Sequence, residues 1–321
     1  MTLLNKTAVG TAHGKIILIG EHAVVYNMPA IALPFMATTT TVTITSIEGE
    51  TFIDSDYFSN YLSETPETLA GFKTALINVC TYLNVPINGL HIEVDSLIPP
   101  ERGMGSSAAV ATALVKALFN YFEADLTDDI VKNFVDTAEK VTHGNPSGID
   151  STIVNSLSPI YFKKDESPTS LPLNMDGFLI AADTGIKGQT KEAVGDVAKL
   201  FQSAKDQSIN AVNRIGQLTS QAKEAIIDNN LPILGEIMTQ THHLLKDLTV
   251  SNKQLDTLVQ AALKAGAEGA KLTGGGRGGC MIALAHSMDH ANAIAKELEK
   301  AGAIKTWIHP LGAKEGEVVY E

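Results

Sequence analysis

The sequence is poor in cysteine, in arginine and in net positive charge. Cys80 and Cys280 are the only cysteines in 321 residues. Two thiols make neither a disulfide framework nor a structural zinc site, so a reducing compartment is expected. Arg102, Arg214 and Arg277 are the only arginines, and 24 Lys+Arg against 36 Asp+Glu leave a formal net charge of −12. Such a chain lacks the basic surface that generic nucleic-acid binding requires, which excludes nucleic acid as an expected partner. The opening residues show no apolar core of signal-peptide length. The longest uncharged run, 23–47, could span a bilayer by length, but Pro29, Pro34 and a threonine tract at 38–41 interrupt it. It reads as strands and turns, so no membrane partner is expected and a cytoplasmic location is.

What is present is the material of a packed globular protein. Apolar residues make up 44% and charged residues 19%, and the length suggests two α+β domains of ordinary size. Lys15 heads a compact apolar strand over 15–19, and Thr41, Val42, Thr43, Ile44 and Thr45 alternate as a half-buried strand. Helical spacing over 66–83 precedes a strand at 90–94. An alanine-rich helix is expected over 106–122, and a second over 128–141 with Thr127 as its N-cap. The polar stretch 163–177, with Pro168 and Pro172, is the best domain junction, giving expected domains of 1–174 and 175–321. Beyond it a strand at 178–182, helices over 189–228, 231–247 and 253–265, strands near 270–273 and 280–285, a helix at 289–300 and a strand at 303–308 are expected.

Three glycine-rich stations stand out. In Pro99-Pro100-Glu101-Arg102-Gly103-Met104-Gly105-Ser106-Ser107-Ala108, glycines allow close backbone approach to a ligand. The helix opening at the serines offers unpaired N–H groups and a positive dipole end to a phosphate, and a serine hydroxyl can ligate Mg²⁺. An ordinary capped helix after a glycine turn is the plain alternative. Gly103-x-Gly105-x-x-Ala108 also matches a loose dinucleotide fingerprint, which would make the chain an NAD-binding oxidoreductase. However, residues 97–102 intervene after the strand, and Asp125 leads into a helix rather than ending a second strand. The second station, Lys271-Leu272-Thr273-Gly274-Gly275-Gly276-Arg277-Gly278-Gly279-Cys280, is followed by a strand where a dinucleotide site needs a helix. Five glycines in six residues fit close approach to a ligand or another backbone better than a simple hairpin. The third, His13-Gly14-Lys15 through Gly20-Glu21-His22, puts a lysine at the head of a strand and Glu21-His22 past its end. On its own it is no more than a solvated strand terminus.

Glu139 precedes the turn-rich His143-Gly144-Asn145-Pro146-Ser147-Gly148-Ile149-Asp150, which presents Ser147 and Asp150 as a polar cluster near a helix end. Read plainly, Asp150 is a helix cap and Glu139 a surface charge. His286 and His290 have the spacing of a zinc helix, but Ser287 stands where HExxH needs glutamate, so they read as surface residues. His242 and His243 read as packing or surface.

The four segments HGKIILIGEHAVVY, PPERGMGSSAA, HGNPSGID and KLTGGGRGGC, in this order and at these separations, resemble the GHMP kinase superfamily and, within it, the mevalonate kinase family. They anchor residues 13–280. The resemblance implies an N-terminal domain with a left-handed βαβ unit and a ferredoxin-like C-terminal domain, with a final strand at 309–321 that can return to the first. It implies ATP- and Mg²⁺-dependent phosphorylation of the C5 hydroxyl of (R)-mevalonate. Carried over residue by residue, Gly103, Met104, Gly105, Ser106, Ser107 and Ala108 form the ATP phosphate loop, and Gly274, Gly275 and Gly276 complete the ATP site. Ser107 and Glu139 hold Mg²⁺; Asp150 is the catalytic base and Lys15 its partner. Glu21, His22, Ser147 and Thr190 fall where the family contacts mevalonate. Arg277 departs from a usual glycine, and is expected either to reach a phosphate or to point to solvent. A homodimer is an association the resemblance admits. The alternatives are another small-molecule kinase of the superfamily, acting on phosphomevalonate, homoserine or a sugar, and a non-catalytic nucleotide sensor on the same fold.

Overall fold

A computed structural model describes residues 6–144 and 148–312. By compactness the chain divides into two units: residues up to 15, 38–100 and 105–156 form the first, and 16–37, 101–104 and 157 onward the second.

In the first unit, strand β1 (Thr7–Ile19) enters and runs to Lys15, and β2 (Ala30–Ser46) contributes its second half. Then follow β3 (Phe52–Ser55), β4 (Phe58–Tyr61), α1 (Ala70–Leu83), β5 (Leu90–Ser96), α2 (Ser106–Phe122), α3 (Asp128–His143) and the short α4 (Ile149–Ile153). β5 pairs antiparallel with β2, from Thr40 opposite Ser96 to Ser46 opposite Leu90. It also pairs parallel with β3, so β3, α1 and β5 make a βαβ crossover. α1, α2 and α3 pack on one another. The buried face of α2 is mostly alanine with leucine, valine and aromatic residues, which is why a helix with no charge in its first turn is stable here. α3 is capped by Thr127, whose side chain accepts from the Ile130 amide, as its sequence predicts.

The second unit adds β6 (Ile160–Phe162), β7 (Thr169–Ser170), β8 (Phe178–Asp183), α5 (Thr190–Ser203), α6 (Lys205–Ile227), α7 (Leu231–Asp247), α8 (Lys253–Lys264), β9 (Gly269–Leu272), β10 (Cys280–Ala285), α9 (Met288–Lys300) and β11 (Lys305–Pro310). β8 to β11 form an antiparallel sheet in the order β11-β8-β10-β9. Numbered within the sheet this is 4-1-3-2, with helices between the first and second strands and α9 between the third and fourth, the ferredoxin-like arrangement. Ile180, Ala182, Met281 and Ala283 of the sheet share a core with Leu258 and Val259 of α8 and Ile294 and Leu298 of α9. Among the described residues no helix is long and apolar enough to cross a membrane.

Several expectations change. The strand carrying Lys15 begins at Thr7, not at Lys15, so the lysine lies inside a strand and is buried at 3% exposure. The 23–47 stretch contains one long strand, because β-branched residues at 38–46 continue the pairing that Ala30 begins. The helix expected from 66 starts at Ala70, after a 3-10 turn over Glu67–Leu69. The 189–228 pattern breaks at Ala204 into α5 and α6. Of the 309–321 segment expected to return to the first domain, His309 and Pro310 end β11, paired with β8, and residues 313–321 lie outside the described residues.

Candidate active site

The first unit gathers seven of the predicted site residues: Lys15, Gly105, Ser106, Ser107, Ala108, Glu139 and Asp150. Gly105, at φ 76°, is the N-cap position of α2 and has no side chain to cap it. The amides of Ser106, Ser107 and Ala108 precede the first intrahelical bond, made by the Ala109 amide to the Gly105 carbonyl at 2.9 Å. That end therefore offers N–H groups and a positive dipole to an anion. A Cβ on Gly105 would sit 2.7 Å from Cγ of Lys15 and 3.4 Å from Val154, so only glycine lets the loop approach that lysine. Lys15 Nζ in turn lies 3.0 Å from Oδ1 of Asp150, with side-chain exposures of 4% and 32%. The lysine is thus held in the protein while the carboxylate keeps one face open.

Ser107 Oγ donates to Oε1 of Glu139 at 2.6 Å. Glu139 is not a surface charge: it is 3% exposed, on the inner edge of α3 beside Ala138. Burial pushes its carboxyl above the usual range, and the neighbouring Asp150 charge adds to this. The Ser107 hydroxyl, His143 and Lys15 act the other way. A buried carboxylate tied to a hydroxyl is a hard oxygen donor set, and a divalent cation there would hold Glu139 ionised. Asp150 is the second residue of α4. Ser151 Oγ donates to Oδ1 of Asp136, and Thr152 Oγ1 to the Gly148 carbonyl at 2.8 Å, which fix that short helix against α3. Ser147 lies outside the described residues.

The second unit gathers Glu21, His22, Thr190 and the late glycines. Gly103 and Met104 belong to this unit, Met104 buried with its sulfur 3.6 Å from Cys280 Sγ. Burial raises the Cys280 thiol well above its usual range and Cys80 to about 11, which leaves neither as a nucleophile. His22 donates from Nε2 to the Gly275 carbonyl at 3.0 Å, since a carbonyl only accepts. Burial lowers its pKa to about 4. The ring is therefore neutral at working pH, with Nδ1 an acceptor that has no partner among the described residues. Thr190 opens α5 against Gly275, where a Cβ would fall 2.0 Å from Thr190 Oγ1. Gly274 approaches Gly103 within the same unit.

Arg277 neither points into solvent nor stays free for a phosphate. At φ 57° it spans Asp196 at 2.6 Å and the Thr249 carbonyl at 3.1 Å, closing the glycine turn onto α5 and the end of α7. His242 is buried, accepting from the Leu272 amide, and His243 is exposed. His286 and His290 meet at the surface beside Glu268.

Two charged groups escaped the sequence reading. Lys271 is completely buried and paired with Glu21, and Asp183, at 2% exposure, receives Arg102 Nε at 2.8 Å. Each was signalled by a charge set inside or at the end of an apolar strand, where an unpaired ion is prohibitively costly.

Two family models match, GHMP kinases N terminal domain over 71–155 and GHMP kinases C terminal over 222–304. A mevalonate kinase of Thermococcus sibiricus is 32% identical, over 97% of this chain and 99% of the relative. This chain belongs to the mevalonate kinase family of the GHMP kinases. A Methanocaldococcus jannaschii mevalonate kinase is 31% identical, over 89% and 94% of the two chains. Among solved structures, Leishmania major mevalonate kinase in complex with R-mevalonate superposes at TM-score 0.84 with 29% identity, covering 96% of this chain and 98% of that one. A Lactococcus lactis galactokinase bound to galactose superposes at 0.75 with 19% identity, over 96% and 94%, and shows the fold alone. The N-terminal model spans Gly103 to Asp150 and the C-terminal model spans Lys271 and the late glycines.

Proposed function

We propose that the protein transfers the γ-phosphoryl group of ATP to the C5 hydroxyl of (R)-mevalonate, yielding 5-phosphomevalonate for isoprenoid precursor synthesis in the cytoplasm. The observation that carries the reading is the Lys15–Asp150 pair, 3.0 Å apart and packed against the uncapped start of α2. Phosphoryl transfer asks a protein mainly for alignment and charge neutralisation. The amides of Ser106, Ser107 and Ala108 bind phosphate oxygens, with Gly103, Met104 and Gly105 shaping the loop and Gly274, Gly275 and Gly276 completing the nucleotide site. Ser107 and Glu139 would hold Mg²⁺, which when bound neutralises triphosphate charge. Asp150 accepts the proton of the C5 hydroxyl at its open carboxylate face. Lys15 orients Asp150, and supplies positive charge locally in a protein of net charge −12. Glu21, His22, Ser147 and Thr190 contact the acceptor. His22 Nδ1, having only a lone pair to offer, recognises a donor such as a hydroxyl and not a carboxylate oxygen.

ADP release measured against mevalonate, phosphomevalonate, homoserine and galactose tests the proposal. Mevalonate is expected to exceed each of the others by about 10² or more in kcat/KM, the scale on which a site built to bond a substrate hydroxyl rejects a poor match. Turnover led by another acceptor would reassign the substrate; no turnover with any would favour a nucleotide sensor.

A further inference from the structure

Arg102 and Asp183 have no part in the roles given above, yet both lie within the second unit with side-chain exposures of only 14% and 3%. Asp183 ends β8, which is paired on one side with β10 and on the other with β11, so its backbone is held from both sides. Its Oδ1 accepts from Arg102 Nε and from the Gly185 amide, each at 2.8 Å, and Arg102 Nη2 donates to the Gly185 carbonyl at 3.2 Å. One planar guanidinium therefore grips both the carboxylate and the turn beyond it, in a fixed geometry that a lysine ammonium does not reproduce. The same turn holds the preceding residue, the Gly188 amide donating to the Glu101 carbonyl at 2.7 Å. It is also bonded to the second glycine station: the Gly279 amide donates to the Ile186 carbonyl at 2.7 Å, and Thr184 Oγ1 donates to the Gly279 carbonyl at 2.7 Å. A Cβ on Gly279 would fall 2.8 Å from the Arg102 carbonyl oxygen, so that glycine lets the 101–104 backbone pass. A buried ion pair adds little net stability over well-packed apolar residues, because desolvation offsets attraction. What this one supplies is a fixed place for the backbone three residues ahead of Gly105.

We propose that Asp183 and Arg102 are positioning residues for the nucleotide: anchored on β8, they fix the backbone that leads into the phosphate loop, so that the amides of Ser106, Ser107 and Ala108 meet the triphosphate already ordered. The inference rests on the ATP-dependent kinase reading and extends it to two residues given no contact with the nucleotide. Its energetic content is preorganisation. A loop tethered to a sheet strand has lost its freedom on folding, whereas an untethered one loses it on binding and weakens the ligand by that amount. The tether acts on the entry to the phosphate loop and makes no bond to Glu21, His22 or Thr190, so ATP should feel its loss and the acceptor should not.

The test measures the affinities for MgATP and for mevalonate separately by calorimetry, with a thermal melt, in the parent, Asp183→Ala, Arg102→Met and Asp183→Asn. The first two variants are each expected to weaken MgATP about 10-fold, the scale of ordering one backbone residue on binding, with mevalonate affinity within about twofold of the parent's. Asp183→Asn keeps an acceptor oxygen for Arg102 Nε and the Gly185 amide, and should hold MgATP affinity within about threefold although the charge is gone. A lowered melting temperature with parental MgATP affinity in Asp183→Ala and Arg102→Met would make the pair purely structural and overturn the proposal. Equal losses of MgATP and mevalonate affinity would overturn it as well. Where a single variant does not fold, the neutral Arg102→Met/Asp183→Asn carries the test. It should fold and bind MgATP about 10-fold more weakly, and parental affinity there overturns the proposal equally. A parent that binds no MgATP would instead fail the underlying reading, before any variant is compared.

Discussion

Replacing Asp150 by asparagine keeps the shape of the side chain and removes its charge and basicity. Two consequences of different size follow. In chemistry, loss of a positioned general base costs about 10² to 10⁴ in rate, so kcat is expected to fall at least about 100-fold, or about 2.7 kcal/mol of barrier. In stability, unit charges 3.0 Å apart attract by about 5 kcal/mol at an effective dielectric of about 20. Much of that is never realised as net stability, because Asp150 is 32% exposed to water and the asparagine oxygen still faces Lys15. A net loss of about 1–2 kcal/mol remains, a fall of a few degrees in Tm for a chain of this size. The variant is therefore still folded at 25 °C, and its loss of turnover is chemical. Coupled ADP release would measure kcat, calorimetry the affinity for ATP, and a thermal melt the stability. ATP affinity is expected to stay within a few-fold of the parent. Because Lys15 acts through Asp150, Lys15→Met combined with Asp150→Asn should be scarcely slower than the slower single variant. Near-parental turnover in Asp150→Asn, or additive losses in the double variant, would refute the assignment of this pair.

Ser107→Ala removes the hydroxyl bonded to Glu139, and should raise the KM for MgATP several-fold while leaving mevalonate affinity near the parent's; calorimetry finding the reverse reassigns the loop. Arg277→Gly loses the contacts to Asp196 and Thr249 but relieves a left-handed backbone that costs a non-glycine residue roughly 1 kcal/mol. Tm and the KM for ATP should both change little, and a fivefold rise in the ATP KM would show a phosphate contact. Stability should also fall with acid. His22 and His242 are neutral when folded, with pKa lowered from 6.5 to about 4, whereas the unfolded chain takes up protons below about 6.5. Their contribution is full above about 6.5 and lost as pH falls toward 4, at most about 3 kcal/mol for each. Glu139, raised above its usual value, works in the opposite sense at pH above 4.5. Urea midpoints at pH 7.5, 6 and 5 should decline together with pH, and a midpoint flat from 7.5 to 5 would contradict the neutral buried histidines.

The parts legible in the sequence were those with local causes. The alanine-rich run of α2, the Thr127 cap of α3 and the boundaries of α7 follow from residues within a turn or two, and the structure places them where the pattern does. β3, β4, β6 and β7 are two to four residues long, and they exist only because other strands pair with them. No periodicity of their own announces them. The break at Ala204 has no glycine or proline to mark it. The surroundings of the site residues were harder to read than the residues themselves. Lys15 looked like a strand head because Gly10 and Gly14 weaken the signal of the strand before it. Glu139 looked solvated, although its place next to Ala138 at the margin of the Val131, Val135 and Ala138 stripe was a readable hint of burial. Lys271 was invisible because its partner stands 250 positions away.

The bare start of α2 has a practical consequence for anyone wishing to toughen this enzyme. Installing Ser, Asp or Asn at a helix N-cap ordinarily gains about 1 kcal/mol. At Gly105 the same substitution would force a side chain into a left-handed backbone and drive its Cβ into Lys15. On the proposed reading, the rational route to heat resistance at this helix is consequently a bound nucleotide, whose phosphates would do the capping. Melting curves should climb with added ligand in the logarithmic fashion that mass action dictates.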